Sequence, residues 1–406
     1  MATREVLRIN FDDKAVVRDP FPVYEEIRSL GTVVFNELLG IWMVVGYEDL
    51  FTALRDPIRF SNESYGAGAA PVPEIMNAAR TMISTDPPEQ IPLRRVAQQA
   101  FVRGSLAKLE STIEHVVEEM LDAPELRDPL GEGAEVELMQ AFCKQVPARV
   151  IALLLGVPVA DLQTFIRWSD QLSAVMDSGQ ADSPEWPTTL ANARASGLAM
   201  RAYLQEQIDD HRRVVRDDLI GDLLVANESG ILDDNELLAT CILLLIAGNE
   251  TTTKLIGSSL LTFARHPDQR RLVVDDPTRM VGAVEEVLRY EGVTTIVPRI
   301  VKQETTLGGE ALHPGEWMLL LLGAANRDPA EFAEPDRFDI ARNPNHHLAF
   351  GHGVHHCLGN RLARMEAQIA LTGFLRRYPT YEVGDTEYAP AFLARGLETM
   401  DISVPG

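Results

Sequence analysis

A single cysteine set among glycines is the residue of this sequence most suited to bond-making chemistry. Cys357 lies in the run FGHGVHHCLG with Gly351, Gly353 and Gly359 around it, and the chain then passes directly into the helical pattern NRLARMEAQIALTGFL. Backbone N–H groups and the positive end of the helix dipole favour a thiolate there, and glycines let the backbone approach a flat ligand closely. A metal-bound thiolate is the chemistry this arrangement predicts, although a buried structural cysteine would fit the loop taken alone. His346, His347, His352, His355 and His356 crowd the same stretch and raise zinc as an alternative. Zinc sites usually repeat tight ligand pairs from separate elements, and no second cluster of that kind is present.

A second polar group sits where an apolar run should continue. After Leu237–Gly248, the residues Ala247-Gly248-Asn249-Glu250-Thr251-Thr252 place a glycine, an acid and two hydroxyls in the middle of a helical pattern. Gly and Thr loosen the helical hydrogen-bond ladder and leave room for a ligand or waters. A hydroxyl beside a carboxylate with water access is suited to proton delivery. Further along, Glu286 and Arg289 lie three apart on one helical face, which by itself describes an ordinary ion pair.

These groups need a scaffold. Residues 31–47 read as a hairpin, and 293–323 alternate apolar runs with turns as a small sheet would, as does the tail after Pro379. From Ser105 to about Val225 the spacing is helical, with Pro147, Pro158, Pro184 and Pro187 marking breaks. Asp233 and Glu236 resemble a capping box that starts a helix running to about His266, roughly 50 Å long and apolar on nearly every face of its first half. Arg279 to Tyr290 form another helix. The Gly, Ala and Pro-rich stretch between Ser61 and Thr85 reads as a loop. We expect one domain over 1–406, β-rich in about 1–60, 293–323 and 380–406, helical in about 85–290 and 359–378.

Composition excludes several classes. With 46% hydrophobic and 24% charged residues over 406 positions the chain can bury a large core, and a net charge of −23 speaks against nucleic-acid binding. The start of the sequence shows no apolar leader and Leu237–Gly248 is too short to span a bilayer, so a cytoplasmic protein is expected. Cys143, Cys241 and Cys357 show no CxxC spacing and fit reduced thiols, the first two in the core.

The Cys loop resembles the haem-binding signature of the cytochrome P450 superfamily, soluble bacterial type, through Phe350, Gly353, His355, Cys357 and Gly359. The segment Ala247–Thr252, the Glu286–Arg289 pair and the run EFAEPDRFD match further motifs of that family in order and spacing. The resemblance implies a mainly α fold with a smaller β-rich region, a long central helix over haem and a Cys loop beneath it. Cys357 would be the axial ligand of haem b iron, with Phe350, Gly351, Gly359 and Ala247 lining the cofactor. Thr251 would hydrogen-bond bound dioxygen while Glu250 relays protons. Arg337 would complete a structural network with Glu286 and Arg289, and Arg94, Arg299 and His355 would hold the haem propionates. The run DPPEQIPLRR carries Gln90 where the family usually has a histidine, which weakens the contact implied there.

The implied reaction is monooxygenation, hydroxylating or epoxidising a hydrophobic small molecule of terpenoid, steroid, polyketide or aromatic class; a peroxide-using or non-oxygenating relative is the alternative. Leu243, Ile246 and Ala247 lie close to Thr251 on the helix and are expected in the pocket. By resemblance Thr294, Thr295, Phe392 and parts of the 61–85 loop join them. No reductase segment is visible, so electrons from NAD(P)H would come through a ferredoxin and ferredoxin reductase. Residues 340–365 contain Arg342, Arg361 and Arg364 but no acid, a locally basic face on which an acidic donor would dock near Arg361 and Arg364.

Overall fold

Residues 33–44 form the predicted hairpin, β1 (Val33–Asn36) against β2 (Ile41–Val44), and the rest of the fold is built to join this end of the chain to the other. In the computed structural model, residues 8–11, 13–63, 79–103, 106–176, 184–214, 216–390 and 393–405 are described; Phe392 and most of the 61–85 loop lie outside them. The first sixty residues are less β-rich than expected. Short helices α1 (Lys14–Arg18), α2 (Phe21–Leu30) and α3 (Tyr47–Arg55) alternate with β1, β2 and the two-residue β3 (Phe60–Ser61).

Helices then dominate: α4 (Gln90–Arg103), α5 (Leu106–Asp122), α6 (Pro124–Gly131), α7 (Gln145–Leu155), α8 (Leu162–Met176), α9 (Trp186–Arg213) and α10 (Leu219–Ala226). Pro147 does not break the chain as expected. It sits in the first turn of α7, where its missing N–H has no helical partner to lose. Between α6 and α7 a short strand β4 (Val136–Glu137) and a π-helical turn (Met139–Cys143) were not legible as such in the sequence.

The long central helix α11 (Asp234–Arg265) begins where the sequence placed it: the Asp233 side chain accepts from the Glu236 N–H and Glu236 reaches back to the Asp233 N–H. Helices α12 (Pro267–Asp275) and α13 (Met280–Tyr290) follow. Strands β5 (Ile296–Val301), β6 (Thr305–Leu307), β7 (Glu310–Leu312) and β8 (Trp317–Leu321) precede α14 (Leu322–Ala325), α15 (Asn360–Arg377) and the final pair β9 (Glu382–Tyr388) and β10 (Leu397–Ser403). One sheet runs β1-β2-β8-β5-β3, with β2 and β8 parallel (Trp42 opposite Met318), so residues 33–61 and 296–321 share a sheet. β4 pairs with β10.

Two apolar clusters meet along α11. Its first half packs Leu237, Cys241 and Leu245 against Phe165, Leu172, Met200 and Leu223 of α8 to α10. Its second half packs Ile256, Leu260 and Phe263 against Ile113, Val287, Ala370 and Phe374. Cys143 and Cys241 are fully buried in these clusters, and burial pushes the Cys241 thiol up to about 12, so both are inert packing groups. Between the two halves the helix is free to face a cavity.

Candidate active site

The Cys loop is folded by its own backbone. The Cys357 N–H donates to Phe350 O at 2.9 Å, Gly351 N–H to Leu348 O at 2.8 Å, and Asn360 Nδ2 to Cys357 O at 2.7 Å. Gly351 and Gly353 take φ of 65° and 73°, a left-handed conformation that only glycine adopts without strain. Gly359 is the N-cap residue of α15, the helix that the sequence places directly after the loop. Its effect on the thiol is smaller than expected: burial pushes the Cys357 thiol up, and the Gly359 N–H, Arg94 and Arg364 only oppose this. Protein surroundings alone therefore do not ionise Cys357.

Across a cavity of about 300 Å³ from this loop lies the middle of α11. Phe350, Gly351, His355, Cys357 and Gly359 form one wall; Leu243, Ala247, Gly248, Thr251 and Thr252 form the other. A side chain added at Gly351 or Gly359 would meet nothing within 4 Å, so both glycines leave open space. Thr251 Oγ1 donates to Ala247 O at 2.9 Å within a helix that stays α throughout. Glu250 is turned out of the cavity and pairs with Lys254 Nζ at 2.7 Å.

Two expected pocket residues are elsewhere. Ile246, one residue or 100° round the helix from Ala247, packs into the cluster of α8 to α10 instead. Thr295 is fixed by backbone bonds to Leu393 O and from Gly323 N–H, and its hydroxyl faces Tyr24, whereas Thr294 does line the cavity. Leu243 lines the cavity.

The anion-binding candidates divide as well. Arg94 and Arg299 both line the cavity. Arg94 donates to His356 O at 2.6 Å, and Arg299 to Asn62, a buried cavity residue without a sequence signal. His355 Nε2 stands 3.2 Å from Asp86, whose carboxyl is held low despite burial by His355, Ser61 and the Asn62 N–H. Gln90 does not reach the cavity: it is buried and donates to Val354 O at 3.0 Å, bracing the Cys loop rather than offering a donor to a ligand.

Glu286 and Arg289 are fully buried and joined by two bonds of 2.8 and 2.9 Å. The third arginine is Arg342, which donates to Glu286 Oε1 at 3.1 Å, and not Arg337. The Arg337 side chain is 60% exposed and pairs with Glu334; only its carbonyl takes part, accepting from Arg289 and Arg342. A turn at 334–337 leaves the Arg337 side chain outward, while the next turn, at 339–342, brings Arg342 back. Arg289 also donates to Asn326 O and Pro335 O, so the network clasps the segment leading into the Cys loop.

Of the three arginines read as a basic face, Arg342 is largely covered, its side chain 11% exposed, and Arg364 is half-buried, bonded to Glu285 at 2.6 and 3.0 Å and lying 4.4 Å over the Phe350 ring. Burial would raise the Glu285 carboxyl, but His347 and Arg364 outweigh it and hold it at about 2. Of the three, only Arg361 is exposed.

Glu366 was also missed. It lines the cavity, is 2% exposed, and its Oε2 has no hydrogen-bond partner among the described residues. Burial raises its pKa well above the ordinary value, which favours the protonated form. An acid with a raised folded pKa loses stability as pH climbs from its unfolded value, about 4.3, toward the folded one. Glu366→Gln is accordingly expected to flatten the decline by up to about 1.4 kcal/mol per pH unit, read as urea midpoints between pH 5 and 8; parallel wild-type and variant curves would contradict it.

A flat, anionic, iron-bearing group fits these walls: one thiol, glycines that leave open space, two arginines and a histidine at the rim. Residues 41–283 and 278–389 match the sequence model of the family described as Cytochrome P450. The chain is 35% identical to the cytochrome P450 monooxygenase PikC of Streptomyces venezuelae, covering 95% of this chain and 91% of that protein. It is 34% identical to a vitamin D(3) 25-hydroxylase of Pseudonocardia autotrophica over 95% and 94% of the two chains. The crystal structure of P450BioI in complex with hexadec-9Z-enoic acid ligated acyl carrier protein superposes with a TM-score of 0.86 at 32% identity, covering 97% of this chain and 99% of that one. Among the described residues no helix is long and apolar enough to cross a membrane. The chain belongs to the cytochrome P450 family and is a P450 monooxygenase, an enzyme that uses haem iron and O₂.

Proposed function

We propose that this monooxygenase hydroxylates or epoxidises a hydrophobic small molecule, with Cys357 as the axial ligand of haem b and electrons from NAD(P)H delivered by a separate ferredoxin and its reductase in the cytoplasm. The observation that carries the reading is Thr251 facing the Cys357 loop across one cavity, with Glu250 beside it in the chain, turned out of the cavity and 26% exposed. Haem iron held by a thiolate supplies the reductive activation of dioxygen. Inserting one oxygen atom into substrate and releasing the other as water consumes two electrons and two protons. Thr251 holds a hydroxyl proton at the cavity wall, and Glu250 connects that wall to the outside. Arg94, Arg299 and His355 would take the propionates, while Phe350, Gly351, Gly359 and Ala247 would pack on the ring.

Apolar residues line much of the cavity, among them Leu243, Leu244, Ile151, Val293 and Val297. They suit terpenoids, steroids, polyketides, aromatics and fatty acyl chains. A spin-shift titration against such a panel, including hexadec-9Z-enoic acid, identifies the class. A reduced carbonyl spectrum of the thiolate type is expected; one typical of histidine ligation would sink the assignment of Cys357.

Thr251→Ala is expected to keep haem binding and O₂ consumption while cutting product per O₂ by at least about tenfold, the electrons appearing as peroxide. Normal coupling with the tightest-binding panel compound would remove Thr251 from the relay. For the donor, Arg361 with the exposed part of Arg364 offers the docking charge, and the reduction rate by ferredoxin should fall as ionic strength rises.

A further inference from the structure

Lys254 is an unusual residue to find inside a central helix. Its side chain is 4% exposed, and a buried ammonium is costly unless compensated. Nζ stands 2.7 Å from Glu250 Oε1 one turn back on the same helix, and donates to Ala394 O at 2.9 Å, far away in sequence. The stem runs through space that only glycine leaves, since a Cβ at Gly396 would collide with it.

Ala394 belongs to a segment tied to the cavity wall. It pairs with Thr294, Leu393 O accepts from the Thr295 N–H at 3.1 Å, and the Arg395 N–H donates to Val293 O at 2.8 Å. Val293 and Thr294 line the cavity. One ammonium thus touches both the carboxylate next to Thr251 and the strand-like segment behind the substrate wall. Asp170 of α8, bonded to Lys144 at 3.1 Å, feels the charges of both Glu250 and Lys254, so a second acid with its own cation stands near the Glu250–Lys254 pair.

We propose that Lys254 is a positioning residue for proton delivery: it holds Glu250 in its outward-facing orientation and links that orientation to residues 393–396, so that the substrate wall and the relay acid move together. This rests on the reading of Glu250 as the relay. A carboxylate one turn from its counter-ion has few rotamers that keep the bond, and shifting Ala394 O shifts Nζ with it.

The test uses haem-loaded protein without substrate, reduced by NADPH through ferredoxin reductase and ferredoxin, and reads peroxide formed per NADPH oxidised. Lys254→Met is expected to raise that yield about threefold or more, Lys254→Arg to restore most of the wild-type value, and Lys254→Met in a Glu250→Gln background to add less than about 1.5-fold. Amide exchange should quicken at Thr295 and Arg395 in Lys254→Met but not in Glu250→Gln, a readout independent of turnover. An unchanged yield in Lys254→Met, or the same factor in both backgrounds, would overturn the proposal while leaving the relay intact. An unchanged yield in Glu250→Gln would remove the relay itself, and the proposal with it.

Discussion

Arg289→Met is expected to yield little or no haem-loaded protein. The side chain it replaces is fully buried and makes two bonds to Glu286 and further bonds to the carbonyls of Asn326, Pro335 and Arg337. Methionine fills the volume but leaves the Glu286 carboxylate dependent on Arg342, Asn345 and the Asp339 N–H, and takes their Arg289 donor from the Asn326 and Pro335 carbonyls, while Arg337 O keeps its bond from Arg342. Removing one partner of a buried ion pair costs about 3–5 kcal/mol, a large part of a typical folding stability of roughly 5–15 kcal/mol. Because the clasped segment leads into the Cys loop, the loss should appear first as poor haem retention and then as a lowered urea midpoint. Arg337→Gln is the matched comparison, since its side chain is exposed and only its backbone carbonyl is used; it should change stability by no more than about 0.5 kcal/mol. Equal damage from the two substitutions would restore Arg337 to the network.

Gly353→Ala is the second substitution expected to disable the protein. Its φ of 73° is left-handed, and a Cβ there would lie 2.6 Å from Leu54 O, a backbone atom of α3 that no rotamer change can move. The left-handed strain is about 1–2 kcal/mol and overpacking adds about 1–3 kcal/mol. Both fall on the turn that carries His355 and fixes Cys357. We expect haem occupancy to fall severalfold and the carbonyl spectrum to lose its thiolate character in part of the sample. Gly351→Ala separates the two causes. It shares the left-handed φ of 65° but has open space around its Cβ, so it should show only the smaller conformational cost. Should Gly353→Ala bind haem as the wild type does, close packing of α3 against the loop would not matter for the site.

Much of this site follows from local rules. The start of α11 is fixed by Asp233 and Glu236, three residues apart, and the Glu286–Arg289 pair by one helical turn. Cys357, its glycines and the helix after it are contiguous, so loop and helix were legible together. The hairpin at 33–44 and the strands of 296–321 announce themselves by apolar alternation and turns. Thr251, Ala247 and Leu243 share a face because four residues make about one turn.

What the tertiary structure alone decided is every choice between chemically equivalent residues and every contact between distant segments. Arg342 rather than Arg337 reaches Glu286, and both arginines lie in one short basic and acidic segment with no periodic signal to tell them apart. Gln90 braces Val354, Asn62 meets Arg299, and Lys254 joins Ala394 across gaps of 264, 237 and 140 residues. Arg364, read as a docking charge, is paired with Glu285 from another helix. Helix geometry ties neighbours in sequence to fixed angles and distances, so the sequence determines them. Which side chains meet after long loops close depends on the packing of whole helices and sheets, and that is set only when the chain has folded.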